Sequence, residues 1–351
     1  MPPLSYRRRG LMLARGRRAR GPAATERQLR DLQNDLRCLG YLKNGVDGVF
    51  GAGSERAVKA LQHDLLTNDG RSTGNDGPAP VRMLDYNRGR VVAVTGEVDQ
   101  ALVECVSDLL DDPAVPALPR ADDPVEENRR IAGRIAALPR QDVPVPFLLA
   151  ILRQESGLKH FNEPRGADED RYIVVGLDCN ATQKHIVTSR GYGAGQYTLF
   201  HHPPRPEEVT ELMVDVGKNV QKAVRVLRDK LDHFVTGPTS GTRADDRIAE
   251  RGTEPLRLCK YDPADPRYLT DCRQCVRDAR KQDIRPGVTR LHPGSGHTYI
   301  PTANYRTAAY QEVPVRMDLG CDWPYAVRRY NGAGIDSYHY QARVLLHLAD
   351  L

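Results

Sequence analysis

The sequence predicts a mainly α-helical protein: a small three-helix bundle followed by a larger helical domain interrupted by long irregular insertions. Three observations carry this. Apolar residues recur at helical spacing in several places, as in Leu29, Leu32, Leu36 and Leu39, or Met213, Val216, Val220, Val224, Leu227 and Leu231. The chain has 351 residues, long for one compact unit. Between the periodic stretches lie segments rich in Pro, Gly, Arg and Asp with no period, above all 236–316, too long for a plain loop and read as an insertion.

Composition narrows the classes. Hydrophobic residues make up 40% and suffice for a core, while charged residues at 28% with both signs mixed leave a net charge of only +5. Such a balance gives no reason to expect nucleic-acid binding. No run of about 18 apolar residues exists to span a bilayer. Tyrosine is plentiful and phenylalanine scarce. A tyrosine offers a flat face with a polar tip, which suits sugars as well as half-buried sites.

In chain order, residues 1–24 are Arg-rich and acid-free and read as a disordered basic arm. Leu11 to Ala14 is too short for the apolar core of a secretory signal, so the export route is not legible. Residues 25–66 read as helix, turn, helix. Thr25 caps the first helix with Gln28 three residues on, a capping-box pattern. Gly40 to Gly51 holds four glycines, which indicates tight turns. Ser54 is read as the cap of the second helix, whose inward residues are Val58, Leu61 and Leu65. A loop insertion covers 68–94, and a third helix follows with Leu102, Val106 and Leu109 inward. Residues 111–127, rich in Asp and Pro, read as the linker, and 128–351 as the second domain.

The first segment closely resembles the peptidoglycan-binding domain of bacterial cell-wall hydrolases, a three-helix module. The resemblance rests on Leu32-Gln33, Leu36, Leu39-Gly40-Tyr41, Asp47-Gly48-Val49-Phe50-Gly51, Ala57-Val58-Lys59 and Leu61-Gln62. It implies a domain at 25–110 that binds peptidoglycan glycan strands, with Tyr41, Asp47 and Phe50 as candidate contacts. Cys38 and Cys105 fall on two helices of this bundle, either close enough to pair or as two buried thiols.

The second domain is organised around Ile151 to Gly157. Leu148, Ile151, Leu152 and Glu155 fall at i, i+3, i+4 and i+7, so a carboxylate closes an apolar stripe. Desolvation would raise the pKa of such a carboxyl, and a carboxyl protonated near neutral pH is a general acid. A Glu paired with an Arg inside a core is the other reading. Gly157 stops the helix and leaves Glu155 on its last turn. Farther on come Gly191-Tyr192-Gly193-Ala194-Gly195-Gln196, a long amphipathic helix over 209–235, and Tyr330-Asn331-Gly332-Ala333-Gly334 before a C-terminal helix.

These patches, in this order, look like those of the soluble lytic transglycosylase and goose-type lysozyme superfamily. The resemblance implies a lysozyme-like α domain that cleaves the β-1,4 bond between N-acetylmuramic acid and N-acetylglucosamine. Residue by residue, Glu155 resembles the catalytic acid/base and Ser156 the residue hydrogen-bonding near it. Gln196 resembles the groove-lining glutamine, and Tyr330 and Asn331 the pair at the cleavage point. Tyr192, within the glycine-rich patch, is a further substrate-binding candidate. Ala194-Gly195 stands where the family has Leu-Met, which alters the groove wall. In a transglycosylase one carboxyl suffices and the product is a 1,6-anhydro sugar. A hydrolase needs a second carboxylate to position water, and Asp178 is the candidate, with a turn or capping role as its alternative.

Cys272 and Cys275 form one CxxC. With Cys259 and Cys321 they could supply a tetrahedral zinc site, but disulfides or free thiols are the preferred reading. No cofactor is expected. The chain is therefore read as a monomeric lytic transglycosylase acting at the cell wall. A goose-type muramidase and a non-catalytic peptidoglycan-binding protein are the alternatives.

Overall fold

The computed structural model describes residues 6, 13–15, 25–43, 45–139, 143–165, 169–233, 323–331 and 335–351. The insertion 236–316 and the four cysteines Cys259, Cys272, Cys275 and Cys321 lie outside them. Among the described residues the protein is mainly helical with one small three-stranded sheet, and no helix is long and apolar enough to cross a membrane. The chain divides into two compact units, residues 1–131 with 159–219, and residues 132–158 with 220–351.

The first unit begins with α1, Glu26–Cys38, entered through the expected capping box. The Thr25 hydroxyl accepts from the Gln28 N–H at 3.2 Å, and the Gln28 side chain accepts from the Thr25 N–H at 2.8 Å. The next helices are α2, Ala52–Thr67, and α3, Gln100–Asp111. Leu32, Leu36, Val58, Leu61, Leu65, Leu102, Val106 and Leu109 form their common buried core. Ser54 is not the cap of α2. Gly51 holds that position, and Ser54 lies in the first turn, where its hydroxyl accepts from the Gln33 side chain at 3.0 Å.

A repeat emerges that the two helices share. Gln33, in Leu32-Gln33-Asn34-Asp35-Leu36, accepts from the Gly48 N–H and donates to Asp47 and the Val49 carbonyl. Gln62, in Leu61-Gln62-His63-Asp64-Leu65, accepts from the Thr95 and Gly96 N–H groups and donates to Thr95 Oγ1 and the Glu97 carbonyl. Each amide holds the turn that leads into the next helix. A buried backbone turn needs such partners, and one glutamine satisfies several at once.

Three expectations for this unit are corrected. Tyr6 and Leu13, in the stretch read as a disordered arm, are buried. The Tyr6 hydroxyl meets Asp35 at 2.5 Å, and Leu13 forms an antiparallel bridge with Val98. The 111–127 stretch is no free linker. Val115, Leu118 and Ala121 are buried, and the N–H groups of Leu118 and Ala121 bond Cys38 and Arg171 carbonyls. Cys38 and Cys105 do not pair; both are free thiols packed in different apolar clusters. Burial pushes each up to about 11, with nearby acidic charges adding to the shift. The 68–94 segment also packs: Met83, in a 3-10 turn at Met83–Tyr86, is completely buried.

Short helices α4, Pro124–Arg129, and α5, Ile131–Ala137, follow. The polar stretch after Gly157 holds the sheet, which the helical reading missed. Strands β1, Val175–Cys179, β2, Val187–Tyr192, and β3, Tyr197–Leu199, pair antiparallel in that order. Val175 pairs with Tyr192, and Arg190 with both Leu177 and Leu199. The expected 209–235 helix is broken. A turn α7 at Pro206–Glu208 runs into a wider π turn, Val209–Met213, before α8 at Val216–Leu231.

The second unit contains α6, Val145–Ser156, α9, Trp323–Tyr330, and α10, Ile335–Asp350, which pack on one another. Leu148, Ile151 and Leu152 are completely buried, as are Val344 and Leu348. Phe147 stacks on Trp323 with ring centroids 6.5 Å apart. Gly157 ends α6 at φ +68. The Leu158 N–H reaches back to the Leu152 carbonyl and the Gly157 N–H to Arg153, the left-handed glycine cap the sequence called for.

Candidate functional site

Within the second unit, the apolar stripe of α6 ends on Glu155, which is half-buried. α10 packs along α6 and brings Tyr340 to this carboxyl, its hydroxyl 2.5 Å from Glu155 Oε1. Tyr330, at the end of α9, stacks on Tyr340 with centroids 6.3 Å apart and planes 13° from parallel. Burial raises the pKa of both phenols, and the Glu155 charge raises them further. Both therefore remain protonated. A tyrosine hydroxyl can donate to a carboxylate and accept from a carboxylic acid, so this contact serves Glu155 in either protonation state.

Sequence reasoning placed Tyr330 with Asn331 at the cleavage point and did not make Tyr340 a site residue. Tyr340 makes the hydrogen bond, and no local signal distinguishes it from an ordinary core tyrosine. Ser156 is half-buried, and its hydroxyl bonds the Leu152 carbonyl one turn back at 3.0 Å. Asn331 is exposed, with its N–H directed at the Arg328 carbonyl.

In the first unit, the glycine-rich patch is a rigid turn between β2 and β3. Gly193 has φ +71, and a Cβ there would lie 2.5 Å from the His160 ring and 3.0 Å from Asn219. Only glycine fits. Asn219, fully buried at the start of α8, donates to the Tyr192 and Leu212 carbonyls and accepts from the Gly195 N–H at 2.7 Å. His160 Nε2 meets the Met213 carbonyl at 2.7 Å, and its Nδ1 faces the Ala194 N–H. Neither residue was singled out from sequence. A signal existed for Asn219, a polar residue inside the apolar stripe of an amphipathic helix.

Gln196 adopts φ +46 and folds its amide back, donating to the Gly193 carbonyl at 2.8 Å. It stays half-buried over the paired glycines Gly176 and Gly191, which leave room for it. Tyr192 is corrected as a substrate contact: its side chain is completely buried. Asp178 is exposed on β1, where its carboxylate accepts from the Ser189 hydroxyl at 2.8 Å across the strands.

Tyr41 is likewise corrected. It is 1% exposed, donates to Asp64 at 2.8 Å, lies beneath the Arg190 guanidinium and meets His202 edge-on. Asp47 is exposed, and its carboxylate accepts from Gln33 and the Val49 N–H, locking the turn. Phe50 is half-buried against the bundle core. Among the described residues no group of three or more His, Cys, Asp or Glu side chains could hold a metal.

The Tyr41 cluster makes this unit acid-sensitive. Burial, reinforced by the Arg190 charge, holds the His202 pKa well below 6.5. The unfolded chain then gains a proton near pH 6.5 that the folded state refuses, so stability present above that pH is lost as pH falls. For Asp64, burial acts to raise the pKa, but His63, Arg190, His202 and the Tyr41 hydroxyl outweigh it and bring it to about 2. Its share is lost below the ordinary carboxylate range. Stability of this unit is expected to drop by up to about 1.4 kcal/mol per pH unit below 6.5 from His202 alone. Thermal unfolding at pH 7.5 and 5 checks this, and His202→Phe should flatten the slope.

A family model described as a putative peptidoglycan binding domain matches residues 25–72. These residues hold α1, the glycine-rich turn and α2, and the match points to association with the cell wall. No curated protein and no solved structure matches the chain.

Proposed function

We propose that the chain is a peptidoglycan-cleaving enzyme of the lytic transglycosylase type. Residues 25–72 retain it on the wall, and Glu155 is the acid/base that cuts the β-1,4 bond between N-acetylmuramic acid and N-acetylglucosamine. The observation that carries this reading is the Glu155 carboxyl at the end of α6, bonded by the Tyr340 hydroxyl, with Tyr330 stacked behind it. A lysozyme-like identity for this helical unit belongs to the same proposal, as do the sugar-contacting roles of Ser156, Gln196, Tyr330 and Asn331.

The chemistry follows from one carboxyl. Protonated Glu155 gives its proton to the leaving glycosidic oxygen as the C1–O bond breaks. The resulting carboxylate accepts the proton of the muramic C6 hydroxyl, which closes on C1. The acid is regenerated and no water is consumed. Tyr340 brings a hydroxyl to Glu155 and Tyr330 packs against Tyr340, so the groups described at this carboxyl suit a one-carboxyl route, whereas hydrolysis needs a second carboxylate to position water. Asp178, already engaged by Ser189, is the residue a hydrolytic reading would have to recruit. Coupling a binding domain to a cleaving one raises the local substrate concentration.

Digestion of purified peptidoglycan with mass analysis of the products tests the reading. Muropeptides lighter by one water than their hydrolysed counterparts are expected. Reducing muramic ends would replace it with a goose-type muramidase. Retained wall binding without any released muropeptide would leave a non-catalytic peptidoglycan-binding protein.

A further inference from the structure

Phe200, directly after β3, is 42% exposed. Of the other described phenylalanines, Phe147 and Phe161 are buried and Phe50 is half-buried. A single exposed apolar residue is ordinary by itself. This one sits on a backbone that is hydrogen-bonded on both its N–H and its carbonyl. Its N–H donates to Asp76 Oδ2 at 2.6 Å, and its carbonyl accepts from the Thr73 N–H at 3.0 Å and the Thr73 hydroxyl at 3.4 Å. Its ring rests on Gly74, where an added Cβ would come within 2.6 Å of Cγ, 2.7 Å of Cδ2 and 2.8 Å of Cβ.

The strap beneath the ring is itself tied down. The Asn68 side chain donates to the His202 carbonyl at 3.1 Å, and Arg205 donates to the Asp76 and Pro78 carbonyls. The Asp76 carboxylate lies 3.0 Å from His201 Nδ1, and Glu208 bonds the opposite side of that imidazole at 2.9 Å. The backbone that carries the ring is thus held before any ligand arrives, with the ring against Gly74 and the residue 42% exposed. Exposed Thr73, Asn75 and Thr198 supply hydroxyl and amide groups in the segments that carry it.

An exposed aromatic ring held in place, with exposed hydroxyl- and amide-bearing residues in the segments that carry it, fits a pyranose. The C–H groups on one face of the sugar pack on the ring, while hydroxyl and N-acetyl groups bond the polar rim. The strap starts at Asn68, inside the matched 25–72 segment, and Thr73 follows its last residue. The backbone that carries the ring is therefore tied by hydrogen bonds to a strap that begins within the matched segment. We propose that Phe200, with Thr73 and Asn75, forms a subsite for an N-acetylated amino sugar of the glycan strand. The proposal rests on the wall-binding reading above.

The test is a depletion isotherm on purified sacculi, using the full chain with Glu155→Gln so that the polymer is not consumed. Phe200→Ala should weaken binding by about three- to tenfold, and Phe200→Trp should retain it. Gly74→Ala leaves Phe200 in place but pushes its ring off the strap, so it should weaken binding similarly. Thermal unfolding of each variant confirms an intact fold. Phe200→Ala binding as tightly as its parent overturns the subsite. Failure of the parent itself to bind sacculi overturns the wall-binding reading, and the subsite with it.

Discussion

Replacing Glu155 with glutamine is expected to lower release of muropeptides by about a hundredfold to ten-thousandfold, the range removed when a general acid/base is lost. Glutamine has nearly the same shape, and its amide oxygen can still accept from the Tyr340 hydroxyl. Packing at the end of α6 should survive, so the loss reports on the proton and not on the fold. Binding to sacculi should be unchanged, because the matched binding domain at 25–72 does not include this residue. Tyr340→Phe keeps the ring stacked on Tyr330 and removes only the hydroxyl, so a smaller loss of about tenfold is expected, with a displaced pH profile of activity. A merely structural tyrosine would leave that profile where it was. Undiminished turnover by the Glu155→Gln protein would end the assignment.

Arg37→Leu is expected to destabilise the first unit by about 3–5 kcal/mol. Arg37 and Asp170 form an ion pair whose side chains are 1% and 2% exposed. Arg37 Nε donates to Asp170 Oδ2 at 2.8 Å, and the guanidinium also reaches the Leu42 carbonyl. Removing the arginine takes away the guanidinium that pairs with the buried Asp170 carboxylate. Domains are stable by only about 5–15 kcal/mol in total, so the change should be plain in urea unfolding. The double variant Arg37→Leu with Asp170→Leu should lose less than either single one, since two apolar side chains leave no orphaned charge. Equal losses in the single and double variants would show that packing, not charge, is what the pair contributes. The pair joins α1 to a residue 133 positions later in the chain, so part of what holds α1 lies outside the matched 25–72 segment.

Much of the helical layout was legible in the residues. The capping box at Thr25 and Gln28, the glycine stop at Gly157 and the buried stripes of α1, α2, α3, α6 and α10 follow from local rules of spacing and backbone conformation, which act within a few residues. The sheet was not legible. Val175-Gly176-Leu177-Asp178-Cys179 lacks a clean alternation of buried and exposed residues, and two of the glycines in its first pair of strands are there to accommodate Gln196. The packed roles of Tyr6, Leu13 and 111–127 were hidden for a related reason. Basic or proline-rich composition describes the average of a segment, while a few apolar side chains decide whether it docks.

The candidate site divides along the same line. Glu155 announced itself because a carboxylate at the end of an apolar stripe is a local anomaly. Tyr340 did not, because its partner lies 185 residues away and a tyrosine on an inward helix face is commonplace. Tyr41 was a candidate sugar contact through the family resemblance and Tyr192 through its glycine-rich neighbours, yet both are interior residues. The sequence by itself determined most helix starts and stops, which faces turn inward and that a peptidoglycan-binding domain begins at residue 25, read there as extending to 110 and matched over 25–72, since all of these are written in near-neighbour patterns. Only the tertiary structure decided what each inward face meets: Tyr340 against Glu155, Asp170 against Arg37, Arg190 over Tyr41. Hydrophobic spacing encodes the direction of burial, but which distant group completes a hydrogen bond or neutralises a charge depends on the packing of the whole chain.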